Sequence, residues 1–272
     1  MTPATLDITI LGSGTSTGIP VIGCNCPVCT SADPRNRRTR CSALLQYGVH
    51  NILIDTSPDL RLQALREDIR HIDAVLYTHS HADHMHGIDD LRSFSLHSGK
   101  PIPVYGSTRT LKRVRENFSY IFDDMDQPGF IPQLTLFPVE ISFELFELQI
   151  IPIPLLHGQM QVLGYRCGPL AYLTDCSAIP DSSLELLEDL ELLVLDGLRF
   201  KPHKTHFNID QAVQMAQTIG ARQTWLTHLS HDVDHPRHEP QLPEGIYLAY
   251  DGQTHSLPIQ DLKPNSLRTL RP

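Results

Sequence analysis

Short runs rich in Val, Ile, Leu and Tyr alternate along this chain with stretches in which apolar residues recur at helical spacing. The runs predict strands at 6–11, 42–47, 50–55, 72–78, 102–105, 143–151, 160–166, 170–174, 191–196, 223–227 and 245–250. The helical spacing predicts helices at 58–68, 88–97, 107–118, 181–189 and 208–219. For the last of these, Asn208 or Asp210 can cap the start and Gly220 marks the stop. Strands outnumber helices and several follow one another directly, which does not fit a doubly wound sheet. Two mixed sheets packed face to face, with helices outside, fit better. No Gly/Ser linker, repeat or low-complexity run interrupts the pattern, and Pro-rich stretches such as 128–138 are too short to separate domains. The expectation is therefore one domain over 1–272.

Composition narrows the partners. No apolar stretch approaches the roughly 20 residues needed to cross a bilayer. The start "MTPATLDITI" lacks the basic-then-apolar layout of a signal peptide, so the cytoplasm is expected and no membrane partner is. A formal charge of −9 gives no general attraction to a phosphate backbone, although small anions held by metals remain possible partners. Six cysteines in a reducing compartment read as metal ligands or core thiols, especially with three inside six residues.

The densest chemistry is "LYTHSHADHMHG", Leu76 to Gly87. It begins where the strand 72–78 ends, so its ligands sit on a loop and need not alternate as strand side chains do. His79, His81, Asp83 and His84 can then serve two neighbouring metals, and imidazole with carboxylate suits zinc, manganese, iron or nickel. With 15 histidines in the chain a stray pair would mean little, but an ordered HxHxDH directly after a strand is more than a polar loop. His71, His86 and His97 match no motif position and are expected at the surface or behind the ligands. A second constellation is "GCNCPVC", where Cys24, Cys26 and Cys29 have the C-x-C-x-x-C spacing of a zinc knuckle. A closed tetrahedral site needs a fourth ligand, and Cys41 and His231 compete for that place.

The HxHxDH loop resembles the signature of the metallo-β-lactamase superfamily. That resemblance implies an αββα sandwich, two mixed β-sheets flanked by helices, with a dinuclear metal centre between the sheet edges. It also implies three further ligands near strand ends: His157 just past the strand 143–151, Asp175 at the end of "LAYLTD", and His228 at the end of "QTWLTH". By resemblance His79, His81 and His157 bind the first metal, Asp83, His84 and His228 the second, and Asp175 bridges. Asp55 in "ILIDTSPD" would support the loop from behind.

Within the superfamily, the cysteine loop, the HxHxDH loop and "LTHLSH" together look like the PhnP-type phosphodiesterases. This implies that His231 joins Cys24, Cys26 and Cys29 on a structural zinc, that two divalent metals (manganese or zinc, with nickel or iron as options) fill the active site, and that the chain forms a homodimer. The relative to separate from these is tRNase Z, which carries a long arm between the positions of His157 and Asp175. Only 17 residues intervene here, enough for two strands and a turn, so structured RNA is disfavoured.

Two metals roughly 3.5–4 Å apart can share a hydroxide at neutral pH and polarise a phosphoryl oxygen. The resemblance gives His206, just before the helix 208–219, the task of assisting the phosphate or leaving group, with His203 as the fallback. Asp83 is counted both as a ligand and, with His206, as a catalytic residue. The expected activity is hydrolysis of a small phosphodiester such as a ribose or nucleoside cyclic phosphate. Alternatives are a thioester or lactone hydrolase of the same fold, and a zinc-stabilised binding protein without activity. "LGSGTSTG" does not match a nucleotide loop and reads as a tight turn near the site. Arg35, Arg37, Arg38 and Arg40 are expected either to touch a substrate phosphate or to form a solvated loop, and Cys167 and Cys176 to be core thiols.

Overall fold

The computed structural model describes residues 5–123 and 131–259. In chain order the strands are β1 (Thr5–Gly12), β2 (Ser42–Tyr47), β3 (His50–Ile54), β4 (Ala74–Leu76), β5 (Ile102–Gly106), β6 (Leu134–Pro138) and β7 (Phe143–Leu145). They continue as β8 (Leu148–His157), β9 (Met160–Cys167), β10 (Leu170–Leu173), β11 (Leu192–Asp196), β12 (Gln223–Thr227), β13 (Ile246–Leu248) and β14 (Thr254–Pro258). The helices are α1 (Leu60–Arg66), α2 (Ala82–Met85), α3 (Leu91–Ser98), α4 (Thr108–Asn117), α5 (Ser119–Phe122), α6 (Asp181–Leu184), α7 (Ile209–Ile219) and α8 (His235–His238).

Two mixed seven-stranded sheets result, ordered β14-β1-β2-β3-β4-β5-β6 and β13-β12-β11-β10-β9-β8-β7. Strand alternation explains how they meet. Leu6, Ile8 and Ile10 of β1 point one way and, with Leu45, Ile52, Ile54 and Leu76, join Ile150, Tyr165, Tyr172, Val194 and Trp225 in the layer between the sheets. The opposite face of the first sheet, including Leu44, Leu53 and Val75, is covered by Leu60, Leu91, Leu111 and Val114 of α1, α3 and α4. On the second sheet Leu173, Leu193 and Leu195 pack under Ile209, Ala212 and Ala216 of α7. Strands β4 and β11 are thus buried on both faces, which is why they read as continuous apolar runs. Helix α7 begins with a capping box between Asn208 and Gln211 and ends at Gly220 in the left-handed region. Among the described residues no helix is long and apolar enough to cross a membrane.

Several boundaries depart from the sequence expectation. The run 143–151 is a hairpin, because Phe146 and Glu147 take φ of 55° and 68° and turn the chain between β7 and β8. Strand β8 then continues to His157, which is its last residue rather than a residue beyond it. The helix expected over 181–189 is the single turn α6. Strands β6 and β14 and helix α8 were not expected. Part of the Pro-rich stretch 128–138 lies outside the described residues, and 134–138 is β6.

Candidate metal centre

Parallel strands of both sheets end at one edge, and the candidate ligands follow those ends except for His157, which closes the antiparallel strand β8. Asp55 comes directly after β3, the HxHxDH loop after β4, Asp175 just after β10, Asp196 ends β11 and His228 follows β12. Asp55, Asp175 and His228 hold φ of 60°, 44° and 58°, a left-handed conformation uncommon for non-glycine residues and one that concentrates where a site over-determines it. The loop is stapled to the end of β3: Thr56 N–H donates to His84 O at 2.8 Å and Gly87 N–H to Thr56 O at 2.9 Å. A Cβ on Gly87 would lie 2.0 Å from Ser57 O, so this approach requires glycine. From the other sheet, the Tyr165 hydroxyl donates to Tyr77 O at 2.7 Å and Leu163 N–H to Thr78 O at 3.0 Å.

The ligand atoms form two groups that share one carboxylate. His79, His81, His157 and Asp175 make one group and Asp83, His84, Asp175 and His228 the other, with the atoms of each group within 4.8 Å of one another. Asp175 Oδ2 lies 3.6 Å from His79 Nε2 and 3.4 Å from His228 Nε2, and its Oδ1 lies 3.3 Å from His84 Nε2. Asp83 Oδ2 lies 3.4 Å from His84 Nε2 and 3.5 Å from His228 Nε2.

Hydrogen bonds behind the rings decide which nitrogen faces inward. Asp55 Oδ2 accepts from His84 Nδ1 at 2.7 Å and from the Thr78 hydroxyl at 2.7 Å. The Thr78 oxygen, its proton committed to Asp55, accepts from His79 Nδ1 at 3.0 Å. His157 Nδ1 donates to Thr205 O at 2.7 Å. Each ring therefore keeps its proton on Nδ1 and turns Nε2 to the centre, the arrangement that suits a metal-ligating histidine. The buried Nε2 atoms of His79 and His84 have no hydrogen-bond partner, and a metal would satisfy them. The donor set of imidazoles and carboxylates therefore fits two divalent cations.

Charge in this cluster is set by burial against close partners. Burial pushes His79, His81 and His157 below the usual imidazole range. Burial also works against charge on His84 and His228, but Asp175 and Asp83 outweigh it, lifting His84 well above 6.5 and His228 to about 9. For Asp83 and Asp175 burial opposes ionisation, yet His84 and His228 hold both carboxyls far below the usual range.

Beside this centre, His206 Nδ1 donates to the fully buried Asp196 at 2.7 Å. Its ring stacks on His228, with centroids 4.7 Å apart, and meets His157 edge-on at 4.6 Å. The exposed His203 ring is 5.1 Å away. Asp196 escaped the sequence reading, although it ends the apolar run "ELLVLD" much as Asp175 follows "LAYLT".

The cysteine loop closes with His231. Its Nδ1 lies 3.3, 3.6 and 3.5 Å from the sulfurs of Cys24, Cys26 and Cys29, close to the edges of about 3.5 Å that a tetrahedral zinc with ordinary Zn–S and Zn–N distances would set. The Cys29 N–H holds the Cys26 thiol down to about 7, while burial pushes the Cys29 thiol up to about 11. Cys41 stands elsewhere, beneath the histidine centre, with Sγ 3.4 Å from the Tyr172 hydroxyl and 3.3 Å from that of Thr227, and burial raises its thiol to about 11. Cys167 and Cys176 are buried thiols. His71, His86 and His97 are exposed.

In the arginine cluster Arg37 is exposed, as a solvated loop would have it, whereas Arg38 takes neither expected role. Arg38 is 1% exposed and donates to Ser230 O at 3.3 Å and Asn36 Oδ1 at 3.1 Å, clamping the segment between His228 and His231. Arg35 pairs with Asp33 at 2.7 Å and Arg40 with Asp59 at 2.9 Å. The glycine-rich turn serves the same segment, since Thr15 N–H donates to Leu229 O and Leu229 N–H to Ser13 O.

Two facing mixed sheets with a histidine and aspartate centre at their edge define the metallo-β-lactamase fold. The chain belongs to the beta-lactamase superfamily, whose domain profile matches residues 50–229. It is similar to a crystal structure described as a new diphosphatase from the PhnP family, at 46% identity and a TM-score of 0.88, covering 93% of this chain and 97% of that one. An octanoyltransferase of Porphyromonas gingivalis is 39% identical over 270 residues, 96% of this chain but 54% of the relative. The chain thus spans about half the length of that protein. Coenzyme PQQ synthesis protein B of Methylobacterium radiotolerans is 31% identical over 227 residues, 70% of this chain and 72% of the relative.

Proposed function

We propose that this chain is a metal-dependent phosphodiesterase acting on a small phosphodiester, with ribose and nucleoside cyclic phosphates as first candidates. The observation that carries the reading is the pair of ligand groups sharing Asp175 with the His206–Asp196 pair against their edge. His79, His81 and His157 would hold one metal and Asp83, His84 and His228 the other, both reaching Asp175. When bound, two divalent ions supply Lewis acidity toward a phosphoryl oxygen and lower the pKa of water. The protein's share is positioning. Asp55, Thr78 and Thr205 keep the imidazoles aimed inward, and Asp196 fixes the proton of His206 on Nδ1. Nε2 is then the ring nitrogen left for the departing oxygen, and it serves as general acid when the ring carries a second proton there, given to the leaving oxygen and replaced by one from the attacking water.

The similarity to the PhnP-family diphosphatase supports attack at phosphorus. The octanoyltransferase relative gives a carbonyl reading, thioester or lactone hydrolysis, its one support, and that relative is matched over only 54% of its length. A zinc-only binding protein would leave the second ligand set without purpose. The deciding experiment measures turnover of bis(p-nitrophenyl) phosphate, a lactone and a thioester after loading with manganese, zinc or nickel. Metal-dependent cleavage of the diester, lost in His81→Ala with the fold retained, is expected. Cleavage of the carbonyl substrates alone would replace this reading with the acyl one.

A further inference from the structure

The dipeptide Cys41–Ser42, where the chain enters β2, reaches the backbone or the preceding residue of all three left-handed residues of the centre, Asp55, Asp175 and His228. The Ser42 hydroxyl lies 3.0 Å from Ile54 O and 2.9 Å from Asp55 O, so one proton is shared between the peptides on either side of Asp55. Cys41 Sγ lies 3.9 Å from the Thr174 hydroxyl, 3.3 Å from that of Thr227 and 3.4 Å from that of Tyr172. Thr174 directly precedes Asp175, and Thr227 directly precedes His228. Cys41, Ser42, Thr174 and Thr227 are fully buried and Tyr172 nearly so, which makes a polar layer sealed from solvent beneath the ligands.

Counting protons gives this layer a direction. Asp175 Oδ1, a carboxylate oxygen, accepts from the Thr174 hydroxyl at 2.9 Å. The Thr174 oxygen is then the acceptor toward Cys41, whose single S–H donates. With that proton committed, the Tyr172 and Thr227 hydroxyls donate to Sγ, and among the described residues neither has another hydrogen-bond partner. The bonds therefore run from Tyr172 and Thr227 through Cys41 and Thr174 to the Asp175 oxygen that faces His84 Nε2 at 3.3 Å. No atom of the chain is left without a partner, as burial demands. Its weakest link is Cys41 to Thr174, a thiol donor at long range, so the direct bond from Thr174 carries most of the effect.

We propose that Thr174 and, behind it, Cys41 are positioning residues that fix the rotation of the Asp175 carboxylate, so that one side chain can serve both ligand groups. The hydroxyl on Oδ1 leaves Oδ2 turned to His79 and His228, at 3.6 and 3.4 Å. A shared carboxylate must present an oxygen to each side, and a side chain free to rotate would lose that arrangement whenever the metals leave. Thr174 needs no metal to hold it, so the centre is preorganised from behind, as partners of ligating groups do elsewhere. This rests on the metal-centre part of the proposed function and is independent of the substrate.

The test is cobalt titration of the metal-free protein against a chelator of known affinity, followed by absorbance. Thiolates of the cysteine loop give cobalt an intense near-ultraviolet band, whereas imidazole and carboxylate ligands give only weak visible bands, so the two environments are read separately. Thr174→Val, close in size but without the hydroxyl, is expected to weaken cobalt binding at the centre by about 10- to 100-fold and to leave the cysteine-loop band unchanged. Thr174→Ser, which restores the hydroxyl, is expected to recover the affinity, and Cys41→Ala to lose less than Thr174→Val. A lower melting temperature in Thr174→Val with wild-type affinity at the centre would mean a merely structural role and overturns the proposal, as does an equal loss in Thr174→Ser. Should Thr174→Val not fold, unchanged affinity in Cys41→Ala overturns it. If wild type shows no visible bands, the metal centre fails and this proposal with it, while failure to cleave any phosphodiester with cobalt bound counts against the phosphodiesterase reading alone.

Discussion

Asp55 Oδ2 sits 2.7 Å from His84 Nδ1, and through the Thr78 hydroxyl the same carboxylate also orients His79. One buried acid thus aims an imidazole of each candidate ligand group. Asp55→Asn keeps the shape and tolerates the φ of 60° that Asp55 holds. It is expected to weaken metal binding by about 10- to 100-fold, as for the loss of a partner behind a ligating histidine. Competition with a chelator of known affinity measures this, and unchanged affinity would reduce Asp55 to a cap on the loop.

Metal binding is expected to release protons. The metal-free centre holds His228 at about 9 and His84 well above its ordinary value, so at neutral pH both imidazoles carry protons that a cation must displace. Affinity should therefore rise as pH increases toward about 9. The metal-free fold should do the opposite. A raised folded-state pKa contributes stability that is fully present below 6.5 and is lost as pH rises through about 9. Calorimetry in buffers of different ionisation enthalpy counts the released protons, and thermal melts of the metal-free protein follow stability. Pairing of weaker binding with higher pH would contradict the assignment.

His231→Ala should lose the zinc bound by the cysteine loop and lower the melting temperature. Cys41→Ala should retain that zinc, because Cys41 hydrogen-bonds to Tyr172 and Thr227 rather than facing the other three cysteines. Elemental analysis of both variants decides between them, and the reverse pattern would place the fourth ligand at Cys41.

His206→Ala should cut turnover by roughly 10²–10⁴-fold with metal content intact, as expected for loss of a positioned proton donor. Asp196→Asn should give a smaller loss, since an amide oxygen can still accept from Nδ1 and hold the ring in place. Equal metal occupancy with unchanged turnover in His206→Ala would remove it from the mechanism.

Much of this was legible from sequence because ligands at strand ends are local features. The apolar run of β4 passes directly into His79, His81, Asp83 and His84, and Asp175 and His228 come just after similar runs. Edge strands were not legible for the opposite reason. In β6 and β14 most residues are exposed or half-buried, so neither carries the alternation that burial on one face imposes. The hairpin between β7 and β8 was hidden because Phe146 and Glu147 make its turn without Gly or Asn.

By itself, then, the sequence pointed to two mixed sheets with outer helices and to the HxHxDH and cysteine loops, since each follows from short-range pattern, while His157, Asp175 and His228 came from the family resemblance. Only the tertiary structure decided which distant groups meet. It set His231 against cysteines some 200 residues earlier in the chain, Asp196 behind His206, and Arg38 inside the protein rather than at a substrate. Those choices depend on how two sheets and their loops pack, and long-range packing leaves no periodic trace along the chain.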